Sequence, residues 1–190
     1  MELNLTLNLH IITTVNQKVL SFLAKFSDNE FYEREIARKI GIAYGSANRA
    51  LNHLYSTGAI KRRQEGKMYS YSVDLSNAAI TEFKKLINMT LIEPLTEELK
   101  NISSRIVLYG SCAQGTDTSH SDLDLFIVSN DKERVTEVIS NFSFPRGFED
   151  IHLQPVIKSP VELLEAGESE QAFLEEVEQG IVLWEKVSNE

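Results

Sequence analysis

Residues 109–128 read YGSCAQGTDTSHSDLDLFIV. A glycine-serine pair, a polar run and two aspartates one residue apart fall within this stretch. Its last residues, DLDLFIV, have the aliphatic content of a strand, and in a strand residues i and i+2 share a face. Asp122 and Asp124 are therefore expected to point to one side, with Leu123 and Leu125 on the other. Two carboxylates held side by side repel unless something positive lies between them. Upstream, IVLYG at 106–110 reads as a second short apolar strand, and Ser111 follows Gly110 at once. A strand that delivers Gly-Ser into a helix start offers backbone N–H groups and a hydroxyl to an anion, with the helix dipole behind them.

The pattern is G-S-x10-D-x-D followed by LFIV. Paired carboxylates suit Mg²⁺, a hard cation that takes oxygen ligands and keeps waters for phosphate to replace. With the Gly-Ser turn beside them, a nucleoside triphosphate, ATP for example, completes the expected site. The matching chemistry is phosphoryl-type transfer, in which metal ions stabilise charge while an acceptor hydroxyl attacks in line.

These residues resemble the signature of the DNA polymerase beta-like nucleotidyltransferase superfamily, and in particular its minimal nucleotidyltransferase branch, over residues 100–185. The resemblance implies a small mixed sheet with packed helices. It implies that Gly110 and Ser111 hold the nucleotide's phosphates, and that Asp122 and Asp124 are the catalytic Mg²⁺ ligands. Two departures stand out. The branch commonly carries arginines just after Gly-Ser, where this chain has Cys112 and Gln114. A third carboxylate normally deprotonates the acceptor from a neighbouring strand. The strand expected here is EDIHLQPVI, residues 149–157, and its matching position holds His152, with Asp150 two residues earlier on the same face. His152 and Asp150 are the candidate bases, since either side-chain type can take a proton. In the minimal branch the acceptor can be a tyrosine on a HEPN-type partner toxin, so the resemblance also implies an antitoxin role.

The N-terminal half has a different character. VNQKVLSFLAKF, residues 15–26, places Val15, Val19, Leu20, Leu23 and Phe26 on one helical stripe. Ser27 and Glu30 stand in capping-box relation for the next helix, which holds Phe31, Ile36, Ala37 and Ile40 and stops at Gly41. In the following helix, GSANRALNHLYSTG, Ala47, Ala50, Leu51 and Leu54 form the stripe to be buried, and Ser46, Asn48, Arg49, Asn52 and His53 lie off it. AIKRRQEGKMYSYSVD then reads as two strands around Glu65-Gly66-Lys67, carrying Lys61, Arg62, Arg63 and Lys67. Helix, helix, turn, helix and basic hairpin resembles a winged helix-turn-helix over residues 12–75. In that family the helix after the turn enters the major groove of double-stranded DNA and the wing lies on phosphate. Ser46, Asn48, Arg49 and Asn52 are then the candidate base-reading residues, because Arg forks onto guanine and Asn onto adenine. Arg62, Arg63 and Lys67 are the candidate phosphate contacts. Winged-helix proteins often pair, so a homodimer is the expected assembly.

Charge separates the halves. Residues 1–75 carry 10 Lys+Arg against 7 Asp+Glu, and residues 76–190 carry 9 against 21, which together give the net charge of -9. An α+β chain of two domains follows. The expected boundaries are 1–75 for the winged helix, 76–100 for a helical connector and 101–190 for the nucleotidyltransferase-like domain. No apolar run approaches the ~20 residues that span a bilayer. MELNLTLNLHIITTV lacks the basic start and cleavage site of a signal peptide, and the single Cys112 excludes an internal disulfide, so a cytoplasmic location is expected. Two functions fit: an enzyme that transfers a nucleotidyl group while its winged helix holds DNA, or a DNA-binding transcriptional regulator whose second domain binds nucleotide without turnover.

Overall fold

The computed structural model describes residues 13–165 and 167–186. The N-terminal residues read above for a signal peptide lie largely outside that range. The chain divides into two compact units, Met1–Asp74 and Leu75–Glu190.

In the first unit, helix α1 (Val15–Lys25) opens with a capping box between Thr14 and Gln17. Strand β1 (Phe31–Tyr32), helices α2 (Glu33–Ile40) and α3 (Tyr44–Ser56), and the hairpin of β2 (Lys61–Glu65) and β3 (Met68–Ser72) follow. The three strands form an antiparallel sheet in the order β1-β3-β2. This is the winged-helix arrangement: three helices closed by a small sheet whose last two strands form the wing. Its core is Val19, Phe22, Leu23, Ile36, Ala47, Ala50, Leu51 and Leu54, each at most 6% exposed. Phe22 meets Phe26 and Phe31 at ring-centroid distances of 5.1 and 4.8 Å. Ser27 and Glu30, expected to cap α2, lie upstream of its start. Phe31 and Tyr32 pair with Tyr71 and Ser70 instead, so α2 starts at Glu33 behind Tyr32, which makes no side-chain cap bond.

In the second unit, helix α4 (Ala78–Leu99) is capped by Asn77, whose side chain accepts from the Ala79 N–H at 3.0 Å. Strand β4 (Arg105–Tyr109), helix α5 (Gly110–Gln114), strand β5 (Leu123–Val128), helix α6 (Lys132–Asn141), strand β6 (Leu153–Lys158), helices α7 (Pro160–Leu164) and α8 (Glu168–Glu178) and strand β7 (Ile181–Glu185) follow. The helix expected as a connector over 76–100 packs on α5, α6 and β7 within this unit. The acidic stretch after Ser159 forms two helices.

The sheet runs β6-β5-β4-β7, with β6 parallel to β5 and the other pairings antiparallel. Both faces of its centre are covered, which is why β4 and β5 are nearly continuous apolar runs. On one face Val107, Tyr109, Phe126 and Val128 pack with Val156, Leu163, Phe173, Leu174 and Val177. Ile106, Leu108, Leu125 and Ile127 alternate onto the other and are fully buried. Pro155 sits in β6, an edge strand, where a missing N–H is tolerated.

Candidate active site and wing surface

The ends of β4 and β5 build the candidate site. Tyr109 closes β4 opposite Asp124 on β5. The chain then turns sharply through Gly110, whose φ of 66° lies in the left-handed region. A Cβ at this position would sit 2.6 Å from Asp124 Oδ2, so only glycine lets the backbone approach the carboxylate. Helix α5, from Gly110 to Gln114, is a single turn that Gly115 ends at φ 71°. One turn has little macrodipole, so the anion-holding capacity here lies in the backbone N–H groups and the Ser111 hydroxyl rather than in a helix dipole.

Asp124 is partly buried on β5, and Asp122 immediately precedes the strand. Burial first, then the charges of Asp122 and Glu176, push the Asp124 carboxyl above its ordinary range. Burial, Asp124 and Glu176 likewise push the Tyr109 hydroxyl up to about 12. Among the described residues no lysine or arginine pairs with Asp122 or Asp124. Among them, too, no group of three or more His, Cys, Asp or Glu is placed to hold a metal ion. The donor set is thus two carboxylates and a glycine cradle.

The region of the candidate bases differs from the expectation. β6 begins at Leu153, not at 149. Asp150 lies in a turn, because Phe148 and Ile151 on either side of it are buried at 8% and 7% exposure and bend the chain. Asp150 therefore does not share a strand face with the aspartates. His152 lies just before the strand, its carbonyl accepts from the Leu123 N–H at 2.8 Å, and its side chain is exposed. The register then pairs Asp124 with Gln154. Alternation brings His152, two residues earlier, to the same side as Gln154. The residue directly opposite Asp124 is thus an amide, which the sequence reading missed because strand register is set by non-local pairing.

The two positions where the resemblance leads one to expect arginine differ in exposure. Cys112 is fully buried and its Sγ donates to the Asp122 carbonyl at 3.3 Å, so position 112 faces inward. Gln114 is exposed.

On the first unit, Ala47, Ala50, Leu51 and Leu54 form the buried stripe of α3, with Arg49 and Asn52 exposed and Ser46 and Asn48 half-buried. Arg49 donates to Ser46 Oγ at 3.2 Å, and Asn52 Nδ2 donates to Asn48 Oδ1 at 3.1 Å. The Arg62 guanidinium stacks between the Tyr55 and Tyr69 rings, 4.0 and 4.4 Å from their centroids, and donates to Asn52 Oδ1 at 3.4 Å. Tyr69 is 40% exposed. Arg63 is held by Glu30 at 3.0 Å and Glu65 at 2.5 Å. Glu30, hydrogen-bonded by Ser70 and paired with Arg63, is held below the usual carboxylate range. Lys61 pairs with Asp74 at 3.0 Å. Lys67 is exposed at the wing turn.

The sheet order, the Gly-Ser turn and the paired aspartates are the marks of a nucleotidyltransferase domain. The family described as polymerase beta, nucleotidyltransferase matches residues 90–189, more than half of the chain, and the chain belongs to it. The DNA-binding protein Sso10a-2 from Sulfolobus solfataricus is 20% identical over 43% of this chain and 92% of its own, with a TM-score of 0.30. The homodimeric winged helix-turn-helix DNA-binding domain of Mb0332 from Mycobacterium bovis is 19% identical over 52% of this chain and 89% of its own, also with a TM-score of 0.30. The winged-helix description rests on the element order and strand pairing from α1 to β3, not on these two likenesses. No curated protein matches the chain. No described helix is long and apolar enough to cross a membrane.

Proposed function

We propose that the second unit binds a nucleoside triphosphate with Mg²⁺ and transfers its nucleotidyl group, AMP from ATP in the simplest case, to a hydroxyl acceptor, while the first unit reads double-stranded DNA. The carrying observation is the approach of the Gly110 backbone to the Asp124 carboxylate, beside Asp122, in a member of this family. Asp122 and Asp124 would hold the ion. Burial, then the charges of Asp122 and Glu176, already raise the proton affinity of Asp124, and a divalent cation held by the two aspartates would offset that charge. When bound, Mg²⁺ neutralises phosphate charge and orients the triphosphate. The backbone of Gly110 and the hydroxyl of Ser111 would hold phosphate oxygens. In the transfer the acceptor oxygen bonds to the α-phosphorus, pyrophosphate leaves, and the acceptor proton passes to His152.

Incubation with labelled ATP, Mg²⁺ and the product of a neighbouring gene tests this reading, with label on protein as the expected result. A HEPN-type protein as acceptor would make the chain an antitoxin. The second reading, a transcriptional regulator that binds nucleotide without transfer, draws on Gln154 at the place opposite Asp124. Magnesium-dependent nucleotide binding with no transfer to any acceptor would select it.

For DNA, the basic residues of the wing are not equivalent. Arg63 with Glu30 and Glu65 forms a cluster of net charge -1, which does not attract phosphate. Arg62 is pre-ordered by two rings and by Asn52 beside the exposed face of α3. Arg62→Ala should weaken duplex binding and lower the salt slope by about 0.9, the worth of one phosphate contact. Arg63→Ala should leave that slope unchanged. Titration of a labelled duplex at several salt concentrations measures both. Equal losses for the two variants would mean that the ion pairs of Arg63 open on binding.

A further inference from the structure

The second unit buries an ion pair that the chemistry above does not use. Lys84 on α4 is 1% exposed and Asp117, in the loop between α5 and β5, is also 1% exposed. The Lys84 ammonium donates to the Asp117 backbone carbonyl and lies 3.7 Å from its carboxylate. One helical turn further along α4, Asn88, fully buried, uses its amide twice: it donates to the Cys112 carbonyl at 2.9 Å and to Asp117 Oδ1 at 3.1 Å. One turn in the other direction, the backbone of Thr81 presses on Gly115 so closely that a Cβ there would lie 2.3 Å from the Thr81 carbonyl oxygen. Thr81, Lys84 and Asn88 thus form one stripe of α4. The segment from Cys112 to Asp117 is seated on it.

That segment lies between the two halves of the candidate site. Before it come Gly110 and Ser111, and after it come Asp122 and Asp124. Thr116 N–H returns to the Ser111 carbonyl at 3.0 Å, and Cys112 Sγ reaches the Asp122 carbonyl at 3.3 Å. The remainder of the loop is closed by Thr118 and Ser121, whose side chains and backbone bond each other. A buried ion pair contributes little net stability, because desolvation offsets the attraction. In some proteins its use is to fix one arrangement of the groups it joins. Here the joined groups are a rigid helix and the loop that sets the spacing of the glycine-serine turn from the aspartates.

We propose that Lys84, Asn88 and Asp117 are positioning residues that hold the phosphate-binding turn at the correct distance from the metal-binding carboxylates. This rests on the magnesium–nucleotide reading of the site. Their effect falls on the coupling between the two ligands rather than on either ligand alone. Metal bound by the aspartates strengthens nucleotide binding only if the phosphates, held by Gly110 and Ser111, reach it.

The test uses the full chain with Lys84→Met and Asp117→Asn combined, which removes both charges and leaves neither buried alone. ATP affinity is measured by calorimetry with and without Mg²⁺, alongside thermal melting. A folded double variant should keep its magnesium-free ATP affinity, while the enhancement by Mg²⁺ falls about tenfold, within the usual range of coupling between sites. A folded double variant with unchanged enhancement overturns the proposal and leaves the magnesium–nucleotide reading standing. A native chain that binds no ATP under either condition overturns both. If the double variant does not fold, Asn88→Ala carries the same expectation and is decided by the same ratio.

Discussion

Asp122→Asn combined with Asp124→Asn should yield a folded chain that binds nucleotide no better with Mg²⁺ than without it. Both substitutions keep volume and remove charge, so the packing of Leu123, Leu125 and Phe126 is untouched, and a neutral amide holds Mg²⁺ more weakly than the carboxylates that usually bind it. Stability should move the other way. The Asp124 carboxyl titrates above its ordinary range because of burial, Asp122 and Glu176. A raised carboxyl binds its proton more tightly in the folded than in the unfolded chain. Its contribution is therefore fully present in acid, below the unfolded value, and is lost as pH rises through the folded one. The metal-free double variant, which has no such loss, should melt above the native chain at neutral pH, and the gap should close in acid. Calorimetric titration with ATP and Mg²⁺, with melting curves at pH 7 and pH 3, reads both effects. Retained magnesium dependence would remove these aspartates from the metal site.

The proton acceptor gives the second large effect. His152→Ala should slow nucleotidyl transfer by about 10²–10⁴-fold, the usual worth of a general base. ATP affinity should change little, since Gly110, Ser111 and the aspartates hold that ligand. Asp150→Ala should leave the rate alone, because Asp150 lies in a turn before β6 rather than on the strand. Single-turnover measurements with a fixed acceptor separate rate from affinity. A full rate in His152→Ala would mean that the acceptor proton leaves by another route.

The parts of the fold that were legible are those that depend on local periodicity. Val19, Leu23 and Ala50, Leu51, Leu54 mark helix faces by their spacing, and IVLY and LFIV mark strands by their composition. The glycine at 110 was legible for a related reason: a Gly-Ser directly after an apolar strand implies a turn that other residues cannot make. What could not be read was set by distant pairing. Ser27 and Glu30 have the spacing of a cap, but Phe31 and Tyr32 gain more by joining β3, and Glu30 turns to Arg63 and Ser70. The strand expected from residue 149 is delayed because Phe148 and Ile151 are both drawn into the core, which a period-2 reading of EDIHLQPVI hides. Gln154 acquired meaning only once β5 and β6 were placed side by side. Lys84 and Asn88 read as ordinary polar positions of a connecting helix, and nothing in their neighbours announces burial.

The ion pairs that occupy Lys61 and Arg63 bear on how this chain would search a genome. Weak, sequence-blind attraction to DNA comes from counterions set free when unpaired cations meet phosphate. In the wing Lys61 and Arg63 already face carboxylates, which leaves Arg62 and Lys67 to release counterions, and the net acidic charge of residues 76–190 opposes non-specific association. Such a molecule would slide poorly and leave random sequence quickly. Its residence on DNA would then depend on the few direct contacts of α3, Arg62 and Lys67, so that occupancy follows the quality of a site far more than the amount of DNA around it.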